Sequence, residues 1–212
     1  RDSRAIQLHA GEVLMETVVE AAPPDTAPIF RCHGRWWVKS DGTVAIEQSV
    51  TPLAPGLPPL PRIGLSLELP GDFTRLEWFG RGPWENYPDR KSAAMVGRYA
   101  ATVTEQHYPF IVPCECGGKE DVRWLELHST RAGGLRVTSD QWFHFDAHHN
   151  SVADYAQARH DYELSPRNAT FLNLDYRHSG LGGDVGWSPC TIHPEYRVNP
   201  EPARFAFTLQ PV

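Results

Sequence analysis

The sequence is poor in several features, and each shortage removes a class of answers. No stretch approaches the roughly 20 apolar residues of a membrane-spanning helix, and no apolar segment behind a basic start forms a secretory signal. A membrane partner is therefore not expected. Basic side chains are the minority, 20 Lys and Arg against 26 Asp and Glu, for a formal charge of −6. They form no stripe that could neutralise phosphates, so nucleic acid is not expected as a partner either. Cysteine is scarce: Cys32, Cys114, Cys116 and Cys190. A single C-x-C lacks the second paired cluster of a structural zinc site, so no metal is expected, and the thiols read as free in a reducing cytoplasm. Long helices are excluded as well, because 17 glycines and 19 prolines interrupt the chain too often.

What is present points to β-structure. Hydrophobic residues make up 41% of the chain and aromatics 11%, enough for a packed core and too many for disorder. Apolar residues recur with a period of two: Ile63, Leu65, Leu67 and Leu69; Leu76 and Trp78; Leu125 and Leu127; Leu135 and Val137; Phe143 and Phe145; Leu172, Leu174 and Tyr176; Phe205, Phe207 and Leu209. This alternation marks half-buried strands. Turn formers separate them at Ser40-Asp41-Gly42, Pro70-Gly71-Asp72, Ala132-Gly133-Gly134 and Asn199-Pro200. With no helical segments between strands, antiparallel hairpins and a β-sandwich are expected.

One segment departs from the pattern. Ser151 is followed three residues later by Asp154, and Val152, Tyr155, Ala156 and Arg159 fall on one helical face, which predicts a short helix near 151–164. The proline-dense stretch 51–61 cannot pair as a central strand. It reads as a crossing segment within one domain spanning 1–212, because the residues before it would enclose little core alone. The chain begins at Arg1 inside a strand-rich pattern, which reads as a piece of something longer whose domain lacks its first strands.

Two passages carry most of the chemistry. Residues 80–90 read G-R-G-P-W-E-N-Y-P-D-R, a strand running through a Gly-Pro turn into a polar and aromatic cluster. Residues 180–189 read G-L-G-G-D-V-G-W-S-P, a glycine-rich loop with Trp187 at its tip. Taken from Trp78, the first passage fits W-x-G-x-G-P-x-E-N-Y-x-D-R. Tyr108, Phe110, Pro113 and Glu115 follow, and then G-x-G-G-x-x-x-W-S-P. In this order, over more than half the chain, the series resembles the C-terminal domain of the lac-type β-galactosidases of glycoside hydrolase family two. One departure is the C-E-C-G-G at 114–118, where that family usually has an Asn after the Glu. Before residue 61 the likeness is looser and rests on the hairpin 35–50.

The resemblance implies a large antiparallel two-sheet supersandwich, related to galactose mutarotases, which suits the alternation. It also implies, for the whole enzyme, a retaining β-galactosidase that hydrolyses terminal β-D-galactosides such as lactose. That chemistry uses two glutamates about 5 Å apart, carried on a central barrel with its own magnesium and sodium sites. This sequence has no strand-helix alternation to build the barrel, so the chain alone is expected to be inactive and to hold no cofactor. The implied partners are the galactoside, met through the parent enzyme, and the remaining domains of the same polypeptide, in the cytoplasm. Sheet edges left open by missing strands also point to a homo-oligomer.

In the resembled enzymes the tryptophan of the W-S-P loop packs on the bound sugar, and Trp187 occupies that position. An indole suits the task, with a flat apolar face and an N–H at its edge, and Gly182, Gly183 and Gly186 allow the loop to protrude. Asp184 is a second candidate for sugar contact, set against a plain turn-forming role. Glu85, Asn86, Tyr87, Asp89 and Arg90 read as a structural hydrogen-bond network tying a loop to the sheet. His148 and His149, beside Asp146, read as a surface turn, since strand neighbours face opposite sides and cannot chelate one ion. Trp142, Phe143 and Phe145 read as core. Two other readings stay open. One is an aldose-epimerase-like enzyme, with its acid and base among His107, His178 and Glu85. The other is a carbohydrate-binding module.

Overall fold

The computed structural model describes residues 2–9, 11–131, 133–184 and 192–212. It contains strands β1 (Asp2–His9), β2 (Glu12–Ala21), β3 (Phe30–Lys39), β4 (Val44–Pro52), β5 (Arg62–Pro70), β6 (Phe73–Gly82), β7 (Met95–Thr102), β8 (Lys119–Ser129), β9 (Gly134–His148), β10 (Ala169–His178) and β11 (Ala203–Pro211), and one short helix, α1 (Val152–Gln157). The fold is all-β and antiparallel, as the alternation predicts. Among the described residues no helix is long and apolar enough to cross a membrane. The backbone divides into two compact units. The first comprises Arg1–Leu60, Leu135–Asp140 and Asn199–Val212, and the second Pro61–Gly134 and Gln141–Val198. The proline-dense stretch ends where the first gives way to the second.

In the first unit the strands run in the order β1-β2-β3-β4-β11, and β11 also pairs with the early part of β9. The Ser40-Asp41-Gly42 turn closes the β3-β4 hairpin. Gly42 takes a φ of +83°, open to glycine at no steric cost, and the Asp41 carboxylate accepts the Thr43 N–H at 2.9 Å. Ile46, Val137, Phe205 and Phe207 are buried. The two phenylalanines, two residues apart on one face, meet edge to face at 5.9 Å.

In the second unit β6 lies between β7 and β8, and β10 lies between β5 and β9. Here the expected hairpin fails. Pro70-Gly71-Asp72 joins β5 to β6, yet β5 pairs with β10, placing Leu67 opposite Leu172. The cause is burial: β10 is buried along most of its length and needs a ladder partner on each edge for its backbone groups. The core gathers Leu76, Trp78, Leu125, Leu127, Phe145, Leu172 and Leu174, all at most 1% exposed, with Trp78 edge-on to Phe145 at 6.0 Å.

Helix α1 begins with the capping box read from the sequence. The Ser151 hydroxyl accepts the Asp154 N–H, and the Asp154 carboxylate accepts the Ser151 N–H. It ends sooner than the expected 151–164. Ala158 turns extended at ψ 132°, and Asp161–Glu163 form a separate 3-10 turn.

Candidate functional site

The candidate residues lie in the second unit. His144, Asp146 and His148 occupy alternate positions of β9 and so share a face, and all three are buried. Across the ladder, Asn173 pairs with Asp146 and Asp175 with His144. On β10, Asp175 and His178 are three residues apart, which in a regular strand puts them on opposite faces. A bulge between Asp175 and Arg177 adds one residue to β10 and brings both to the buried side.

Arg62 holds this cluster together. Its Nε and Nη2 donate to Asp175 at 2.6 to 3.1 Å, Nη2 also donates to Asp146, and Nη1 lies 3.6 Å from Glu115. Asn173 donates to the other Asp146 oxygen at 2.7 Å. Burial disfavours the guanidinium charge, but Asp146, Asp175 and Glu115 outweigh it and hold Arg62 protonated. Burial likewise raises Asp146, and Arg62 together with His148 and His144 more than reverses this, leaving it below the usual carboxylate range. Desolvation prevails at Asp175, which is raised. His178 is opposed by burial and raised by Glu115, 3.8 Å away. Its ring stacks on His144 at 4.4 Å. His144 Nδ1 donates to the Glu120 carboxylate at 2.8 Å, while its buried Nε2 has no hydrogen-bond partner among the described residues.

The polar cluster of 85–90 sits against these residues. Asn86 and Tyr87 are fully buried. The Asn86 amide oxygen accepts the Glu120 N–H at 2.8 Å, and its backbone N–H reaches Gly118 O at 2.9 Å. The Tyr87 hydroxyl accepts from Gly118 N at 3.1 Å and donates to Glu115 at 3.3 Å. Gly118 has no room for a side chain, since a Cβ there would lie 2.5 Å from His144 and 2.6 Å from Tyr87. Glu85 accepts the Gly117 N–H at 2.9 Å. Asp89 and Arg90 grip the glycine-rich loop at one residue: Asp89 accepts the Gly182 N–H at 2.7 Å, and Arg90 donates to the Gly182 carbonyl at 2.8 Å. The three passages of sequence thus meet through hydrogen bonds that begin in 85–90.

The remaining candidates separate. Trp187, with Gly186, lies outside the described residues. Asp184 is exposed and pairs with His193 at 2.6 Å. The acid and base sought among His107, His178 and Glu85 have other partners. His107 contacts Asp161 and Tyr155, each at 2.7 Å, and His178 faces Glu115. His148 corrects the surface-turn reading: it is the last residue of β9, 6% exposed, and Nε2 donates to Cys116 O at 2.9 Å. Its neighbour His149 faces the other way, toward Ala169 O. Trp142 departs from the core assignment at 60% exposed, whereas Phe143 and Phe145 keep it.

A cavity of about 200 Å³ opens beside this network, lined by Arg62, Glu115, Cys116, Asp146, His148 and Tyr155 among others. Glu115, Asp146 and Asp175 are engaged by Arg62, Asn173, Tyr87 or His178, so the arrangement pins loops to strands. Sequence reading missed Arg62, Asp146, Asp175 and His144. The visible signal was the run of His144, Asp146 and His148 on one strand face.

The sequence matches the family described as Beta galactosidase small chain over residues 2–209. The chain belongs to that family. A Beta-galactosidase of Vibrio cholerae is 42% identical over 92% of this chain and 18% of its own length. One of Photobacterium profundum is 38% identical over 81% of this chain and 16% of its own, and one of Priestia megaterium 32% identical over 85% and 17%. The small chain therefore spans less than a fifth of the curated relatives it matches. Among solved structures, a GalM/aldose epimerase homologue from C. elegans aligns over all of this chain and 69% of its own, at a TM-score of 0.44 and 11% identity.

Proposed function

We propose that this small chain is one C-terminal domain, 1–212, of a retaining β-galactosidase that hydrolyses terminal β-D-galactosides such as lactose in the cytoplasm. The match to the small-chain family over nearly the full sequence carries the reading. In this reading the two glutamates and the magnesium and sodium sites belong to a barrel elsewhere in the parent enzyme, and the isolated chain hydrolyses nothing.

The domain's part is to wall the sugar pocket with Trp187, whose indole face covers the apolar C–H side of galactose. The support is local. Gly182 and Gly183 adopt φ of +67° and +84°, a left-handed course that glycine allows, and Asp89 and Arg90 fix Gly182 through both its N–H and its carbonyl. A loop clamped at its base presents its tip at lower entropic cost. Asp184, held by His193, takes the lesser role of a sugar-hydroxyl acceptor. The parent's other domains are the first partner, and open strand edges make a second copy of the enzyme another.

The test is Trp187→Ala in the complete enzyme, assayed on a nitrophenyl galactoside. A raised KM is expected, because a stacking contact supplies binding energy; unchanged kinetics would remove Trp187 from the pocket. Freshly dissolved single-anomer galactose, followed by NMR with the chain alone, should equilibrate at the buffer rate. Faster exchange would make the chain an epimerase.

A further inference from the structure

A second constellation adjoins the cavity, whose lining includes Cys116, His148 and Tyr155. One ring nitrogen each of His107 and His148 and the Cys116 sulfur lie within 4.8 Å of one another. Cys116 and His148 are buried and His107 is half-buried. Between them stands the Tyr155 hydroxyl, 2.7 Å from His107 Nδ1 and 3.3 Å from His148 Nδ1.

The tautomers follow from the outer partners. His148 Nε2 meets the Cys116 carbonyl at 2.9 Å, and a carbonyl only accepts, so Nε2 carries the hydrogen and Nδ1 the lone pair. His107 Nε2 meets the Asp161 carboxylate at 2.7 Å, also an acceptor, so in the neutral ring, the form that ligates a metal, Nδ1 is the lone pair. Both lone pairs converge on one hydroxyl with one proton, which can satisfy only one of them. Histidines that ligate metals carry this outer arrangement: the far ring N–H is fixed by a carboxylate or a backbone carbonyl, which aims the near nitrogen at the ion. Here both histidines have it.

We propose that His107 Nδ1, His148 Nδ1, Cys116 Sγ and the Tyr155 oxygen form a four-coordinate site for a divalent transition ion of the zinc class. Two imidazoles and a sulfur suit zinc or cobalt and disfavour magnesium, calcium and sodium, which take oxygen ligands. Closure around the ion brings the donors to about 2.0–2.3 Å from it, and the Cys116 thiol proton and the Tyr155 phenol proton both leave to solvent through the adjoining cavity, which Cys116, His148 and Tyr155 line. No C-x-C reading finds this site. Its ligands come from His107, which ends the 3-10 turn Thr104–Gln106, the loop at Cys116, the end of β9 and helix α1, so the ion's role is to staple four segments together. Cys114 is exposed and takes no part.

Cobalt titration of the full chain under reducing conditions tests this by the thiolate-to-cobalt absorption band. The expected result is a saturable band displaced by zinc, unchanged in Cys114→Ser and lost in Cys116→Ser. His107→Gln, at a partly exposed side chain, also loses it and serves should Cys116→Ser fail to fold. Asp161→Asn, which touches no metal, weakens binding about 10- to 100-fold while keeping the band at saturation. The proposal is overturned by no thiolate band at millimolar cobalt, or by a band that survives Cys116→Ser and disappears in Cys114→Ser.

Discussion

The two units are built from the same kind of strand and treat charge in opposite ways. In the first, ion pairs follow the ladder: Arg31 faces its register partner Glu20 at 2.7 Å with side chains 54% and 40% exposed, and Arg35, 45% exposed, faces the largely covered Glu16 at 3.2 Å. In the second, charge is drawn inward. Asp146 and Asp175 have side chains 3% and 2% exposed and share Arg62, and Lys119 is 2% exposed beneath the Trp78 ring. A polar position on an alternating strand therefore does not report water. It reports either water or a satisfied buried network, and only the partners decide which. Exposed pairs contribute little, because solvent screens them. Buried ones are obligatory, because each ion has left water and depends on the others.

The largest effect expected from this contrast is at Arg62. Arg62→Ala leaves two buried carboxylates without their counter-ion and should cost about 3–5 kcal/mol in denaturant unfolding. A loss as small as that of a surface pair would mean that the second unit tolerates its charge by other means.

Next comes Lys119, whose ammonium donates to Gln106 and to the Gly117 carbonyl, both at 2.8 Å, and whose burial pushes it down to about 8. In the unfolded chain the same lysine titrates near 10.5. Between these values the unfolded state keeps a proton that the folded state has released, so this group adds stability as pH rises through the window. The stability of the native chain relative to Lys119→Met should climb between pH 8 and 10.5, by about 3 kcal/mol at most. Parallel unfolding curves at several pH values give the slope, and a flat difference would place the lysine in contact with water.

The smallest effect belongs to the first unit. Arg31→Ala should change unfolding free energy by about 0.2–1 kcal/mol and less at high salt. A larger loss would erase the distinction between the two regions.

Much of the architecture was legible before any coordinates. Apolar alternation located the strands because one face of each must meet a core, and Ser151 with Asp154 located the helix start because orphan N–H groups at a helix end need acceptors nearby in sequence. The hydrogen bonds of the G-x-G-P-x-E-N-Y-x-D-R passage run to Gly117, Gly118, Glu120 and Gly182. The hairpin expected at Pro70-Gly71-Asp72 was not to be had from local signals, since the pairing of β5 with β10 answers the needs of a strand a hundred residues away.

The chain's sequence by itself determined which residues turn, which alternate and which family it joins, because these depend on neighbours within a few positions and on ordered motifs. The tertiary structure alone decided that the polar face of β9 is buried, that one extra residue in β10 turns both Asp175 and His178 inward, and that His107, Cys116, His148 and Tyr155 converge. Those outcomes depend on long-range register and on the energetic demand that every buried charge and lone pair find a partner, and no local stretch of sequence encodes either.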